Sequence, residues 1–185
     1  MTAIGVILFG PPASGKDTIG AALLALGHDY ELFQRLRVSS QPKVGYRPIS
    51  DADADEFERK GLVIYSNERY GNRYVVDTPG LDQLIDKQCI PVVHIGQVEG
   101  VSAVSGHRGL WLTVHLTCTR ETTAARSEHR GDLDIGSRLA AWDETEADLR
   151  RHHSFVFGLT IDTDLIGPIE AARLIHQAVA ECCET

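Results

Sequence analysis

The stretch Gly10–Thr18, GPPASGKDT, has the spacing G-x-x-x-x-G-K that is typical of a phosphate-binding loop. It follows the apolar run AIGVILFG, which predicts a buried parallel strand, and precedes KDTIGAALLALG, in which apolar residues recur at helical spacing. In such a strand–loop–helix arrangement, backbone N–H groups and the positive end of the helix dipole point at bound phosphates. The sequence therefore predicts a nucleoside triphosphate site. Its candidate contacts are Gly10, Pro11, Ala13, Ser14, Gly15, Lys16, Asp17 and Thr18.

Two residues of this loop carry specific expectations. Lys16 is expected to reach the β- and γ-phosphates, and Asp17 stands where a serine or threonine normally binds Mg²⁺. A carboxylate in a first helical turn is favourable by about 0.3–1 kcal/mol. Two unit charges about 4 Å apart repel by about 4 kcal/mol at an effective dielectric constant of about 20. Mg²⁺ reverses that sign because it accepts carboxylate and phosphate oxygens together. Two interpretations stay open: Asp17 only starts the helix, or it is a Mg²⁺ ligand, with Thr18 as a lesser candidate.

The composition limits the partners. The chain has 185 residues, a formal net charge of −8 and 43% hydrophobic residues, which favours one acidic globular domain. Nucleic acid and an anionic membrane are therefore not expected as partners. The start of the sequence lacks the basic region of a signal peptide, and the four cysteines show no C-x-x-C spacing. These features favour a cytoplasmic protein with a small-molecule substrate.

The rest of the chain predicts an α/β fold. CIPVVHIG, LWLTVHLTC and FVFGLTIDT are apolar strand candidates, and PIEAARLIHQAVAECC predicts an amphipathic helix with Pro168 near its start. Strands that alternate with helices predict a P-loop NTPase-type parallel sheet flanked by helices.

Residues 31–77 interrupt this alternation. RLRVSSQPKVGYRPIS is basic and strand-like, DADADEFERKG predicts a short acidic helix with Ser50 as its N-cap, and LVIYSNERYGNRYVVD predicts a hairpin. We therefore expect a core of residues 1–30 and 78–185, a small mixed α+β acceptor-binding insertion at residues 31–77, and a helical lid at about 119–147.

The basic residues favour phosphoryl transfer. One cluster lies in the insertion and another in RETTAARSEHRGDLDIGSRLAAWDE. A phosphoryl-transfer enzyme needs cations both to hold an anionic acceptor and to neutralise the transition state, and an arginine-bearing lid would exclude water. The clustered cations are Arg35, Arg37, Lys43 and Arg47 in the insertion, and Arg126, Arg130 and Arg138 near the lid.

VVDTPGL raises a second possibility, a GTP-binding switch. It matches the D-x-x-G pattern of small GTPases, in which Asp77 would bind Mg²⁺ through water and Gly80 would sense the γ-phosphate. The guanine-specifying N-K-x-D motif is absent from the sequence. The same residues also fit a helix start, with Asp77 or Thr78 as the cap and Pro79 in the first turn.

Several stretches in order resemble the guanylate kinase family of P-loop kinases: GYRPISDADADEF, ERYGNRY, HIGQVEGVSAV and RSEHRGDLDIGSRLAAWDETE. The resemblance implies ATP and Mg²⁺ as cofactors, a phosphorylated acceptor, and Lys16, Arg130 and Arg138 as catalytic residues. With the insertion cluster, it gives these acceptor-binding candidates: Arg35, Arg37, Tyr46, Arg47 and Tyr70.

The sequence also departs from that family. Where the family has a glutamate that reads guanine, this chain offers Tyr65 or Ser66, with Glu68 out of register, and two strand aspartates are replaced by His94 and Gly96. GKD also resembles ribose 1,5-bisphosphate phosphokinase. The acceptor therefore stays open between a nucleoside monophosphate such as GMP and a sugar phosphate such as ribose 1,5-bisphosphate, and the role of His94 stays open too. A non-catalytic guanylate kinase-like interaction module is a further alternative, although such modules tend to lose the loop lysine.

Overall fold

The computed structural model describes residues 4–27, 29–39, 43–69 and 71–184. In chain order, the elements are β1 (Ile4–Phe9), α1 (Lys16–Leu24), β2 (Tyr30–Leu32), β3 (Leu36–Val38), β4 (Arg47–Ile49), α2 (Asp51–Arg59), β5 (Val63–Arg69), β6 (Asn72–Asp77), α3 (Thr78–Asp86), β7 (Ile90–Ile95), α4 (Val98–Ser105), β8 (Leu110–Thr117), α5 (Arg120–His129), α6 (Ile135–Arg151), β9 (Leu159–Asp162) and α7 (Pro168–Glu184).

The described core is a five-stranded parallel sheet in the order β2-β7-β1-β8-β9. Every residue of β1 is buried, because the strand is central and helices cover both faces of the sheet. Phe9 pairs with Ile95 of β7 and with His115 of β8, so the carboxyl ends of these strands meet at one edge. Open α/β sheets bind ligands at that edge. The predicted fold class is confirmed.

Two apolar layers hold the helices on this sheet. On one face, Ile19 and Leu23 of α1 pack with Ile175 of α7. On the other face, Leu81 of α3 packs with Val101 of α4. Full burial of such a side chain stabilises the fold by roughly 1.5–3 kcal/mol. Helix α1, which starts directly after the phosphate loop, is thereby fixed by packing against the core sheet and α7.

A second sheet occupies the insertion, in the order β4-β3-β6-β5. Its strands β5 and β6 form the predicted antiparallel hairpin, which turns at Gly71 with φ of 67°. The predicted cap of α2 is also present, since Oγ of Ser50 accepts a hydrogen bond from N of Asp53 at 3.1 Å.

The limits of the core differ from the expected ones at two places. Strand β2 pairs with β7 in the core sheet, and N of Phe33 donates to the carbonyl oxygen of Val92 at 2.9 Å, so the core continues past residue 30. Helix α6 runs to Arg151, beyond the expected end of the lid near residue 147. Across the described part of the chain, no helix combines the length and apolarity that a membrane span requires.

Candidate active site

A cavity of about 860 Å³ lies at the carboxyl edge of the core sheet. The phosphate loop, the ends of β5 and β7, helices α5 and α6, and the loop before α7 contribute to its wall. The structure brings most of the predicted site residues to this one cavity: Gly10, Ala13, Gly15, Lys16, Asp17, Thr18, Arg35, Tyr46, Arg130 and Arg138.

The loop backbone has the shape expected for phosphate binding. Gly15 caps α1 in the left-handed region with φ of 90°, and Ala13 also has a positive φ of 60°. A Cβ atom at Gly10 would collide with the carbonyl oxygen of Leu116, so the tight turn after β1 requires glycine. Left-handed backbone at a residue other than glycine is costly and concentrates at functional sites.

Lys16 turns its ammonium group back into the loop. Its Nζ donates to the carbonyl oxygens of Gly10 at 2.6 Å and Pro11 at 2.7 Å, and to Oγ of Ser14 at 3.3 Å. Burial lowers the pKa of Lys16 to about 8, while the nearby Asp17 opposes that effect. Neutral oxygens therefore compensate only part of the cost of desolvating this cation. Pro11 and Ser14 support the lysine and do not line the cavity.

Asp17 contacts His94, the second-last residue of β7. Nδ1 of His94 lies 3.2 Å from Oδ1 of Asp17, and the two side chains are 16% and 90% exposed, respectively. The hydrogen bond from His94 is the largest cause that lowers the pKa of Asp17 to about 2, and burial lowers the pKa of His94. At neutral pH, the pair is thus a carboxylate and an uncharged imidazole. Nε2 of His94 is buried and has no partner among the described residues.

The side-chain oxygens of Asp17 and Thr18 are of the chemical type that binds Mg²⁺. Within the described ranges, no group of three or more His, Cys, Asp or Glu residues could hold a metal ion. Mg²⁺ does not need such a cage, because it binds through one or two carboxylates together with substrate phosphates and water. Asp17 is an exposed carboxylate at the phosphate loop, and Thr18 lines the cavity beside it.

The insertion gives the cavity a cationic and aromatic wall. The guanidinium carbon of Arg35 lies 5.1 Å from the ring centroid of Tyr74 and 6.0 Å from that of Tyr46. Nζ of Lys43 lies 5.6 Å from the Tyr46 centroid. Nη2 of Arg69 contacts a carboxylate of α6 at 3.3 Å, which joins the insertion to the predicted lid. The wall is suited to an anionic ligand with an apolar face.

An acidic residue holds the two arginines that were predicted to be catalytic. Oδ2 of Asp132 lies 2.9 Å from Nη2 of Arg130 and 3.5 Å from Nε of Arg138. Arg126, from the same cluster, has a different position. It donates to the carbonyl oxygens of Ala13 at 3.0 Å and Thr163 at 2.6 Å, and so ties α5 to the phosphate loop.

Comparison with known proteins identifies the family of this chain. A family model described as chloramphenicol phosphotransferase-like protein matches residues 3–180. The chain belongs to this family. No curated protein matches it. The family match and the fold support a phosphotransferase of the small-molecule kinase class, as the sequence predicts at that level.

Two solved structures have the same fold as this chain. Guanylate kinase from Anaplasma phagocytophilum is 16% identical, with a TM-score of 0.67 over 97% of this chain and 86% of that one. Shikimate kinase from Acinetobacter baumannii, in complex with shikimate, is 18% identical, with a TM-score of 0.52 over 96% of this chain and 93% of that one. Identities this low show a P-loop kinase fold alone. The predicted P-loop kinase relationship is confirmed.

Two predicted acceptor-binding arginines lie elsewhere in this family member. Nη2 of Arg37 donates to Oδ1 of Asn72 at 2.7 Å. Arg47 forms an ion pair with Asp77, and its Nε donates to the carbonyl oxygen of Gln34 at 2.8 Å. Neither arginine lines the cavity. Tyr70 lies outside the described residues.

Asp77 is only 1% exposed and accepts a hydrogen bond from N of Gly80 at 2.9 Å as the N-cap of α3. The helix-start interpretation of VVDTPGL is therefore confirmed. Asp77 does not line the cavity, so its position gives no support to a GTPase switch.

Sequence reasoning missed several residues of the cavity wall. Asn67, Arg69 and Tyr74 come from the β5–β6 hairpin, where the alternation of strand side chains could have indicated one common face. Thr163 and Asp164 come from the loop after β9. Their sequence carries no motif, and their position follows only from the parallel pairing of β8 with β9.

Proposed function

We propose that this protein is an ATP-dependent kinase that transfers the γ-phosphoryl group to a phosphorylated acceptor. The observation that carries this proposal is the charge of the cavity wall. Among the described residues that line it, only Asp17 and Asp164 have carboxylates, whereas the cations are Lys16, Arg35, Lys43, Arg69, Arg126, Arg130 and Arg138.

The scarcity of carboxylates favours an acceptor that is already ionised. An alcohol must lose its proton to a general base during phosphoryl transfer. A pKa of about 2 makes Asp17 a poor base. Asp164 accepts a hydrogen bond from N of Thr119 at 2.8 Å and lies 3.8 Å from Arg126. A phosphate oxygen is anionic at neutral pH and needs no base, so it suits this site as the nucleophile.

On the donor side, the loop N–H groups and Lys16 would bind the triphosphate. An arriving phosphate would give the Lys16 ammonium anionic oxygens in place of neutral carbonyls, and charge-assisted hydrogen bonds are roughly twice as strong as neutral ones. Asp17 and Thr18 would hold Mg²⁺, which supplies positive charge between the phosphates. Phosphoryl transfer depends mainly on such positioning and electrostatic stabilisation.

On the acceptor side, we assign Arg35, Lys43 and Arg69 to the acceptor phosphate and Tyr46 to its apolar face. Arg130 and Arg138 would neutralise the transferring group as they leave Asp132. Residues 31–77 would then act as the acceptor-binding insertion, and α5 with most of α6 would act as the lid.

More specifically, the acceptor is a sugar phosphate, or a nucleoside monophosphate whose base is recognised without a carboxylate of the protein. Tyr65, at the position where guanylate kinases have the guanine-reading glutamate, donates to Oε1 of Gln97. Ser66 and Glu68 do not line the cavity. The described hairpin residues that line the cavity therefore offer no carboxylate to the N–H groups of guanine, and loss of such a polar pair reduces turnover strongly.

The test is a screen for release of the nucleoside diphosphate, ADP when ATP is the donor and GDP when GTP is the donor. Its acceptors are nucleoside monophosphates, ribose 1,5-bisphosphate and other ribose phosphates, and chloramphenicol as an uncharged alcohol. We expect turnover with a phosphorylated acceptor and a kcat/KM for GMP below about 10⁵ M⁻¹s⁻¹, within the usual enzyme range. Turnover confined to chloramphenicol would contradict the proposal, and efficient GMP phosphorylation would contradict the finer class.

A further inference from the structure

His94 is held at the start of α1 by close packing. A Cβ atom built at Gly20 would lie 3.0 Å from Nε2 of His94, so a larger residue in the helix would press on the imidazole. Glycine within a helix is less favourable than alanine because it loses more backbone entropy on folding. Gly20 stands three residues after Asp17, and the imidazole of His94 packs where a side chain at that position would lie.

The bonding of this imidazole is one-sided. Nε2 is buried without a partner among the described residues, and an unsatisfied buried polar atom destabilises a fold. Such an atom calls for an explanation. The explanation lies at the other ring nitrogen, Nδ1, which lies 3.2 Å from Oδ1 of Asp17. An ionised carboxylate is only an acceptor, so the proton of the imidazole belongs on Nδ1.

Asp17 depends on this contact for its orientation. Its side chain is 90% exposed, and in the described structure His94 is the group that binds it. The contact engages Oδ1 of Asp17, which lines the cavity, and leaves Oδ2 without a hydrogen bond or ion pair to the described residues.

We propose that His94 is a positioning residue: the N–H group at Nδ1 holds the Asp17 carboxylate so that its second oxygen binds the Mg²⁺ that accompanies ATP. The inference rests on the ATP and Mg²⁺ binding of the proposed function and on no assumption about the acceptor. Hydrogen bonds from an outer residue to a metal ligand fix its geometry, and their loss reduces metal affinity by about 10–100-fold.

The test uses two amides of different length as a matched pair. His94→Asn keeps a donor near the position of Nδ1, whereas His94→Gln places its amide near the position of Nε2. Titration calorimetry gives the ATP dissociation constant of each protein in EDTA and in Mg²⁺. The ratio of these constants is the gain in affinity due to the metal.

We expect His94→Gln to lower this gain by about 10–100-fold, with ATP affinity in EDTA unchanged, and His94→Asn to retain most of it. His94→Leu should behave like His94→Gln, and the amide pair carries the test if the leucine variant does not fold. An unchanged gain in His94→Gln contradicts the proposal. Equal losses in EDTA and in Mg²⁺ also contradict it, because His94 would then only support the loop.

The failure of this inference differs visibly from failure of the proposed function. No acceptor takes part in the titrations, so an acceptor screen without turnover leaves them unaffected. If wild-type protein binds ATP equally well in EDTA and in Mg²⁺, Asp17 holds no metal and the inference is wrong. If wild-type protein binds no ATP, the proposed function and the inference fail together.

Discussion

At the scale of single residues, the loop lysine tests the donor site. Lys16→Ala removes the charge that the β- and γ-phosphates require, so we expect activity to fall by about 10²–10³-fold or more, as for loss of one preorganised electrostatic group. Burial already lowers the pKa of Lys16, so its removal should leave thermal stability near or above that of wild type. Steady-state kinetics and thermal melts check both points. Wild-type turnover in Lys16→Ala would contradict the ATP-kinase proposal.

Another single residue links stability to pH. His115 of β8 packs against the rings of Phe9, at 5.3 Å, and Phe157, at 4.9 Å, and burial lowers its pKa. As pH falls below about 6.5, the unfolded chain takes up a proton that the folded histidine resists. Stability from this group is therefore full above pH 6.5 and decreases toward lower pH.

His115→Phe should reduce that loss of stability in acid. Urea denaturation at pH 7.5 and pH 5.5 gives the free energy of unfolding of both proteins, and their difference between the two pH values isolates the contribution of this position. We expect a smaller difference in the variant than in wild type. An equal difference would show that His115 titrates alike in the folded and unfolded states.

At the scale of elements, the insertion strands separate two arginines with different roles. Arg35 faces the cavity, whereas Arg47 of β4 pairs with the buried cap of α3. Arg35→Met should raise the acceptor KM by about 10–100-fold, because hydrogen bonds to charged groups contribute about 1.5–3 kcal/mol. Arg47→Met should instead lower the free energy of unfolding, since it leaves the Asp77 carboxylate buried and unpaired.

Acceptor kinetics and urea denaturation of the two methionine variants separate these effects. Methionine keeps much of the apolar stem in both proteins, so each serves as the control for the other. A large rise in acceptor KM for Arg47→Met in folded protein would return that arginine to the acceptor site, as the sequence predicts.

The same elements show what the sequence could predict. Strand β1, the phosphate loop, α1 and the β5–β6 hairpin follow from local signals: a buried apolar run, glycine spacing and a turn. Strand β2 could not be predicted, because its three residues carry no periodicity and it is defined by pairing with β7, about sixty positions away. The contact of Asp17 with His94 also joins distant positions. The sequence places a cluster of four cations early in the insertion, but only the three-dimensional structure shows which of them line the cavity.

At the scale of the whole molecule, the charge of the cavity wall is opposite in sign to the net charge of the chain. The chain has a net charge of −8, yet cations dominate the cavity wall. Asp132 faces Arg130 and Arg138, and Glu144 faces Arg69, so acidic partners engage part of this positive charge. An anionic substrate would replace these acids as the partner of the arginines. The net negative charge of the chain would disfavour unrelated polyanions such as nucleic acid.

This arrangement predicts closure when both substrates bind. Arginines from the insertion and from α5 and α6 converge on one cavity, and their mutual repulsion opposes approach of the two parts. Bound phosphates would replace that repulsion with attraction, which favours a closed state to the extent that the closed state binds them better. Small-angle scattering with a non-hydrolysable ATP analogue plus the acceptor found in the screen should show a smaller radius of gyration than either ligand alone.

The control is a variant that keeps the phosphate loop but lacks the predicted lid cations, Arg130→Ala combined with Arg138→Ala. It should bind the ATP analogue through the loop and Lys16, because those contacts do not involve α6, and its radius of gyration should not decrease when the acceptor is added. Compaction of wild type but not of this variant would assign closure to the lid arginines. An unchanged radius of gyration in wild type with both ligands bound would contradict a mobile lid, and exclusion of water would then have to come from the preformed cavity alone.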